Sequence, residues 1–155
     1  MQNDIKNIIE QVAEVQLSYK SKVKAKDRVV VKSSDECYEI LRKIWDEDTL
    51  ELAETFKVLF LNRANQIIGA YTLSIGGMTG TVVDPRLVFI ASLKVAACNM
   101  ILAHNHPSGN LKPSQSDLDL THKIVEGGKI LDIRVLDHLI ITAEGYYSFA
   151  DEGLM

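Results

Sequence analysis

Apolar and polar positions along this chain switch between two periods, and each switch marks an element. Ile5, Ile8, Ile9, Val12 and Val15 recur at helical spacing and predict an amphipathic helix from Asp4 to Val15. Lys20, Lys22, Lys24, Lys26 and Arg28 then fall at every second position. On an extended strand they share one face, either as a charged edge that resists edge pairing or as a stripe turned toward phosphates. After Val29-Val30-Val31, Ser33 with Glu36 three residues on forms a capping box. Tyr38, Ile40, Leu41, Ile44 and Trp45 supply the buried stripe of the helix it starts. Aromatic and apolar density predicts a strand over 56–61, with a turn at 62–65 and a return strand over 66–74.

Gly76, Gly77 and Gly80 mark an irregular loop, and no Gly-Lys-Ser/Thr follows to make it a phosphate-binding loop. Asp84-Pro85 provides an N-cap and a proline at the first helical position, for a helix reaching Val95. A short buried strand over 98–103 follows, then a helix over 114–127 stopped by Gly127-Gly128. Residues 130–142 are largely apolar strand, and 146–149 a last strand or turn. This order predicts an α/β (α+β) layer structure, a twisted mixed sheet flanked by helices.

Composition narrows the class without naming a function. The 155 residues suit one domain with a sizeable core, and 46% hydrophobic with 25% charged residues is ordinary for a globular protein. A net charge of −4 argues against a surface that binds nucleic acid all over. No apolar run is long enough to span a bilayer, and the polar start Met1-Gln2-Asn3-Asp4 does not read as a signal peptide. Cys37 and Cys98 are too few for a cysteine zinc site and imply no disulfide, so the expected location is cytoplasmic.

The chemistry concentrates in His104-Asn105-His106-Pro107-Ser108-Gly109, with Ser114 and Asp117 beyond it. Histidines at i and i+2 on a strand project to the same side. A carboxylate in the first turn of the next helix can fold back toward them. Two imidazoles and one carboxylate leave a fourth position open on a tetrahedral zinc, the layout of a catalytic site. Each member also has a plainer reading. Either histidine could be an ordinary core or surface imidazole, and Ser114-Gln115-Ser116-Asp117 is itself a capping box. Asp119 and His122 are rival ligands on the same helix.

His104-x-His106, seven residues, then Ser114-x-x-Asp117 resembles the JAMM signature of the JAB1/MPN metallopeptidases. Residues 58–62, Asp84-Pro85-Arg86, residues 101–109 and Leu136-Asp137-His138 resemble the RadC-like branch of that family, over roughly Leu50 to Gly153. The letters H-N-H do not indicate an HNH nuclease, whose residues are spread over a longer segment. The resemblance implies a cytidine-deaminase-like JAB/MPN domain over 50–155, with 1–49 as an extension packed on it. It implies one Zn²⁺ held by His104, His106 and Asp117, with Ser114 orienting water or stabilising an oxyanion. It implies a glutamate base at Glu54, which has Glu47 and Glu51 as close neighbours in sequence. His138 reads as a core imidazole or one that braces a metal ligand.

The expected activity is zinc-dependent amide or isopeptide hydrolysis, with a peptide or isopeptide as partner. The alternative is a DNA-repair or mobile-element accessory protein with a structural or vestigial metal site, touching DNA through Lys20, Lys22, Lys24, Lys26 and Arg28. Longer relatives of the branch carry a helix-hairpin-helix region that residues 1–49 do not match, and Leu87 stands where the branch has glutamate after Pro-Arg.

Overall fold

The computed structural model describes residues 12–76 and 82–155. Five strands form one mixed sheet in the order β2-β1-β3-β4-β5. They are β1 (Thr55–Leu61), β2 (Ile67–Ile75), β3 (Asn99–Asn105), β4 (Arg134–Ile141) and β5 (Tyr146–Ser148). All pairings are antiparallel except β3 with β4, which run parallel. Among the described residues three α-helices accompany the sheet: α1 (Ser34–Ile44), α2 (Pro85–Lys94) and α3 (Gln115–Ile130). A parallel pair needs a crossover, and α3 provides it.

Each central strand is buried on both sides, so its apolar residues sort by parity into two cores. Leu59, Leu61, Ile101, Ala103, Leu139 and Ile141 pack with Cys37, Leu41 and Trp45 of the α1 region. Phe56, Val58, Phe60, Met100 and Leu102 pack on the other face with Val88 of α2 and Ile124 of α3. The N-terminal residues 31–45 therefore belong to the same core as the sheet. Helix α1 begins as its sequence predicts, with Ser33 Oγ accepting from the Glu36 amide at 3.2 Å. Glu36 instead accepts from the Lys32 amide, so the box is only half closed. Cys37 and Leu41 are the buried residues of the helix and Trp45, just past its end, is buried too, whereas Ile44 is 42% exposed.

Several expected elements differ. The helix over Asp4–Val15 lies outside the described residues up to position 11, and residues 12–15 form neither helix nor strand. Gly77 and Gly80 also fall outside them. The basic alternation is not a strand face. A 3₁₀ turn at Ala25–Asp27 interrupts it, so Lys20 to Arg28 do not lie along one extended strand. Ordered pairing resumes at Val29–Val31, which hydrogen-bonds to Asn65–Ile67.

The largest difference is at the end of α3, which runs through Gly127 and Gly128 to Ile130. These glycines serve packing. A Cβ on Gly127 would meet the Phe89 ring at 2.7 Å, and one on Gly128 would meet the Ile133 carbonyl at 2.3 Å. The left-handed residue that ends the helix is Asp132, at φ 53°, with the Ile133 amide bonding back to Gly128 O at 2.9 Å. Strand β4 accordingly starts at Arg134 rather than Ile130.

Candidate metal centre

The site lies at the carboxyl end of β3, beside the start of the crossover helix, where parallel pairs commonly leave a crevice. Strand β3 extends through His104 and Asn105, and the His106 amide still bonds to Ile141 O at 3.0 Å. Pro107 stops the ladder. The chain then turns at Gly109, whose φ of +78° suits glycine, and the following residues deliver Ser114 to the head of α3.

The three expected ligands converge. His104 Nε2 and His106 Nε2 are 3.0 Å apart, His104 Nε2 is 3.3 Å from Asp117 Oδ1, and His106 Nε2 is 3.6 Å from Asp117 Oδ2. Among the described residues these three form the one histidine, cysteine and carboxylate group whose ligand atoms all lie within 4.8 Å of one another. A tetrahedral ion with bonds of about 2.0–2.1 Å spaces its ligand atoms about 3.3 Å apart, so the triangle has the right size. His106 Nδ1 lies 2.6 Å from Asn110 O. A carbonyl only accepts, so Nδ1 carries the proton and Nε2 offers its lone pair. The donor set fits a divalent metal ion.

Asp117 caps α3 while its carboxylate faces the two histidines. Its Oδ2 accepts from the Ser114 amide at 2.7 Å while its own amide donates to Ser114 Oγ at 3.2 Å, a complete capping box. Burial opposes ionisation of this carboxyl, yet the facing His104 and His106 imidazoles and Ser114 hold it well below the usual carboxylate range. The neighbouring Asp117 carboxylate raises the His106 pKa against the effect of burial. The rivals lie elsewhere: Asp119 accepts from Gln115 on the exposed helix face, and His122 is exposed.

A cleft of about 330 Å³ opens beside the ligands, lined by Glu54, His106, Ser108, Asn110, Lys112 and Ser114 among others. Glu54 and Ser114 thus share one cavity with His106. Of the neighbouring glutamates, Glu47 is held by Arg42 at 2.7 Å and Glu51 is exposed outside this lining. His138 is fully buried behind the ligands, its Nε2 2.8 Å from His104 Nδ1. Desolvation pushes its pKa well below the ordinary imidazole value.

Two residues here escaped the sequence reading. Asn105 points away from the metal side and is fully buried. Its side chain donates to Leu50 O at 2.6 Å and Ala53 O at 2.9 Å, and accepts from the Thr55 amide at 2.7 Å. It clamps the stretch that carries Glu54. The signal was present: the middle residue of His-x-His on a strand must face the opposite core, where an amide needs partners. Thr121 is the other, one turn after Asp117 on α3, bonded to His138 Nδ1.

The RadC-like JAB domain profile matches residues 31–154. The chain belongs to the RadC-like JAB domain family. It is 56% identical over 101 residues to a UPF0758 protein of Flavobacterium johnsoniae, covering 65% of this chain and 44% of that protein. It is 40% identical over 129 residues to a UPF0758 protein of Syntrophomonas wolfei, covering 83% and 55%. A UPF0758 protein of Desulforamulus reducens is 39% identical over 132 residues, covering 84% and 56%. The RadC-like JAB domain described here thus spans about half the length of these relatives. No helix among its described residues is long and apolar enough to cross a membrane.

Proposed function

We propose that this RadC-like JAB domain is a zinc-dependent hydrolase of the JAMM type that cleaves an amide bond in a peptide or isopeptide. One observation carries the reading: His104, His106 and Asp117 converge beside a cleft that Glu54 and Ser114 also line. Zinc is the ion that two neutral imidazoles and one carboxylate suit best, and when bound it lowers the pKa of water to about 7 and polarises a carbonyl.

The chain's own residues do the rest. Glu54, on the lip of β1, accepts a proton from the attacking water and returns it to the leaving amine. Asn105 holds the Glu54 backbone in register with the ligands by bonding to the residues on either side. The Ser114 oxygen is engaged by the Asp117 amide, while its hydroxyl proton can be directed into the cleft. There it donates to the oxygen that gains charge, a contact worth about 3 kcal/mol in other hydrolases.

Metal analysis of protein purified without a histidine tag tests this. Tag-free protein retains about one zinc per chain, as a single three-ligand site requires. His106→Ala loses both the metal and the hydrolysis of a fluorogenic peptide and isopeptide panel. Glu54→Gln keeps the metal and loses hydrolysis. If no stoichiometric zinc is retained and added zinc fails to bind, the reading falls.

A further inference from the structure

We infer that Thr121 and His138 are positioning residues, which together fix the His104 tautomer that can ligate a metal and tie it to the backbone of Asp117. This deepens the proposed zinc site and rests on it.

The inference follows from counting protons along one chain of contacts. Thr121 Oγ1 lies 2.6 Å from Asp117 O and 2.6 Å from His138 Nδ1. Its hydroxyl has one proton, and a backbone carbonyl can only accept. That proton therefore goes to Asp117 O, and the Thr121 oxygen accepts from His138 Nδ1–H. His138 is fully buried, between the ring of Phe149, stacked at 4.7 Å, and the edge contact of Phe56 at 5.6 Å. Such a site favours the neutral imidazole, so His138 Nε2 is left bare. Facing it at 2.8 Å, His104 Nδ1 must carry a proton, and His104 Nε2 becomes the lone pair beside Asp117 Oδ1 at 3.3 Å.

The contacts close a ring. Asp117 anchors one end through its main-chain carbonyl and meets the other end through its carboxylate. A histidine that merely filled space would leave its tautomer free. Here the reversed arrangement, with His138 protonated on Nε2, would put the His104 proton on Nε2 and block the ligand position. It would also leave Thr121 Oγ1 and His138 Nδ1 with two acceptor sites for one proton that Asp117 O already takes.

The test uses the whole chain, as wild type, Thr121→Val and Thr121→Ser, with two readouts. Long-range ¹⁵N imidazole NMR reports tautomers, and chelator competition reports zinc affinity. In wild type, His138 carries its proton on Nδ1 both with and without zinc. Thr121→Val, similar in shape, weakens zinc binding about 10- to 100-fold, the usual effect of removing such a partner, and moves the His138 and His104 protons. Thr121→Ser restores both.

A wild-type His138 protonated on Nε2 overturns the inference without any variant, so it remains falsifiable even if Thr121→Val does not fold. Weakened binding with unchanged tautomers also overturns it, since that marks a packing effect. Wild type that binds zinc while Thr121→Val binds it equally tightly sinks this inference alone. Wild type that binds no zinc sinks it together with the proposed function.

Discussion

Replacing Asn105 tests how the site is built more sharply than replacing a ligand. Its carboxamide is fully buried and satisfies three backbone groups: Leu50 O, Ala53 O and the Thr55 amide. Asn105→Ala leaves all three without that partner. Ala53 is half-buried, so water can reach its carbonyl, whereas Leu50 and Thr55 are buried. Each orphaned buried group costs about 1–3 kcal/mol, so the two dry ones together cost about 2–6 kcal/mol. A domain of this size has about 5–15 kcal/mol in total, so the loss is a large share of its stability.

Asn105→Asp is worse at neutral pH. It keeps an acceptor for the Thr55 amide but sets a buried carboxylate against two carbonyl oxygens. Its folded pKa is therefore raised, and its deficit relative to Asn105→Ala shrinks as pH falls toward the unfolded carboxyl value of about 3.9. Urea unfolding followed by circular dichroism gives the stabilities. Hydrogen exchange at the Thr55 amide, whose protection comes from Asn105, reads the clamp directly. The expected order at pH 7 is wild type, then Asn105→Ala, then Asn105→Asp, with fast Thr55 exchange in Asn105→Ala, which alone removes the acceptor. A cost below about 1 kcal/mol for Asn105→Ala, or Asn105→Asp as stable as wild type at pH 7, would refute the argument.

Two further outcomes follow from packing and titration. Gly128→Ala drives a methyl into the Ile133 carbonyl, which is backbone and cannot rotate away, so it destabilises by about 1–3 kcal/mol in urea unfolding despite the better helix propensity of alanine. Burial, aided by the nearby Asp137 charge, pushes the Cys37 thiol up to about 12, so at pH 8 a thiol reagent labels exposed Cys98 and reaches Cys37 only on unfolding. Because the folded pKa is the higher one, this thiol favours folding below the unfolded value of 9.0 and loses that advantage as pH rises toward 12. The wild type then loses up to about 1.4 kcal/mol per pH unit more than Cys37→Ala over that window, and equal slopes would contradict it.

The sequence by itself determined the elements whose signals are local. Ser33, Asp84 and Ser114 each cap a helix through their own side chains, and a cap needs only three or four consecutive residues. The convergence of His104, His106 and Asp117 was legible for a similar reason. Strand alternation puts His104 and His106 on one side, and the short connection to Asp117 limits how far the carboxylate can stray.

What local pattern could not decide was whatever depended on a distant partner. Gly127 and Gly128 looked like a helix stop because glycine commonly ends helices. Phe89 of α2 makes Gly127 a contact glycine inside α3 from far off in sequence, and Gly128 meets the Ile133 carbonyl only because the chain turns back at Asp132. The Lys20–Arg28 alternation had the period of a strand but is broken by the 3₁₀ turn at Ala25–Asp27, and a hydrogen-bonded ladder cannot form without a partner. Asn105 and Thr121 gained their roles only when the sheet brought Leu50 beside one and His138 beside the other. Hydrogen-bond partners 17 to 55 residues apart in sequence leave no periodic trace, so the ring that closes around His104 exists only in the folded chain.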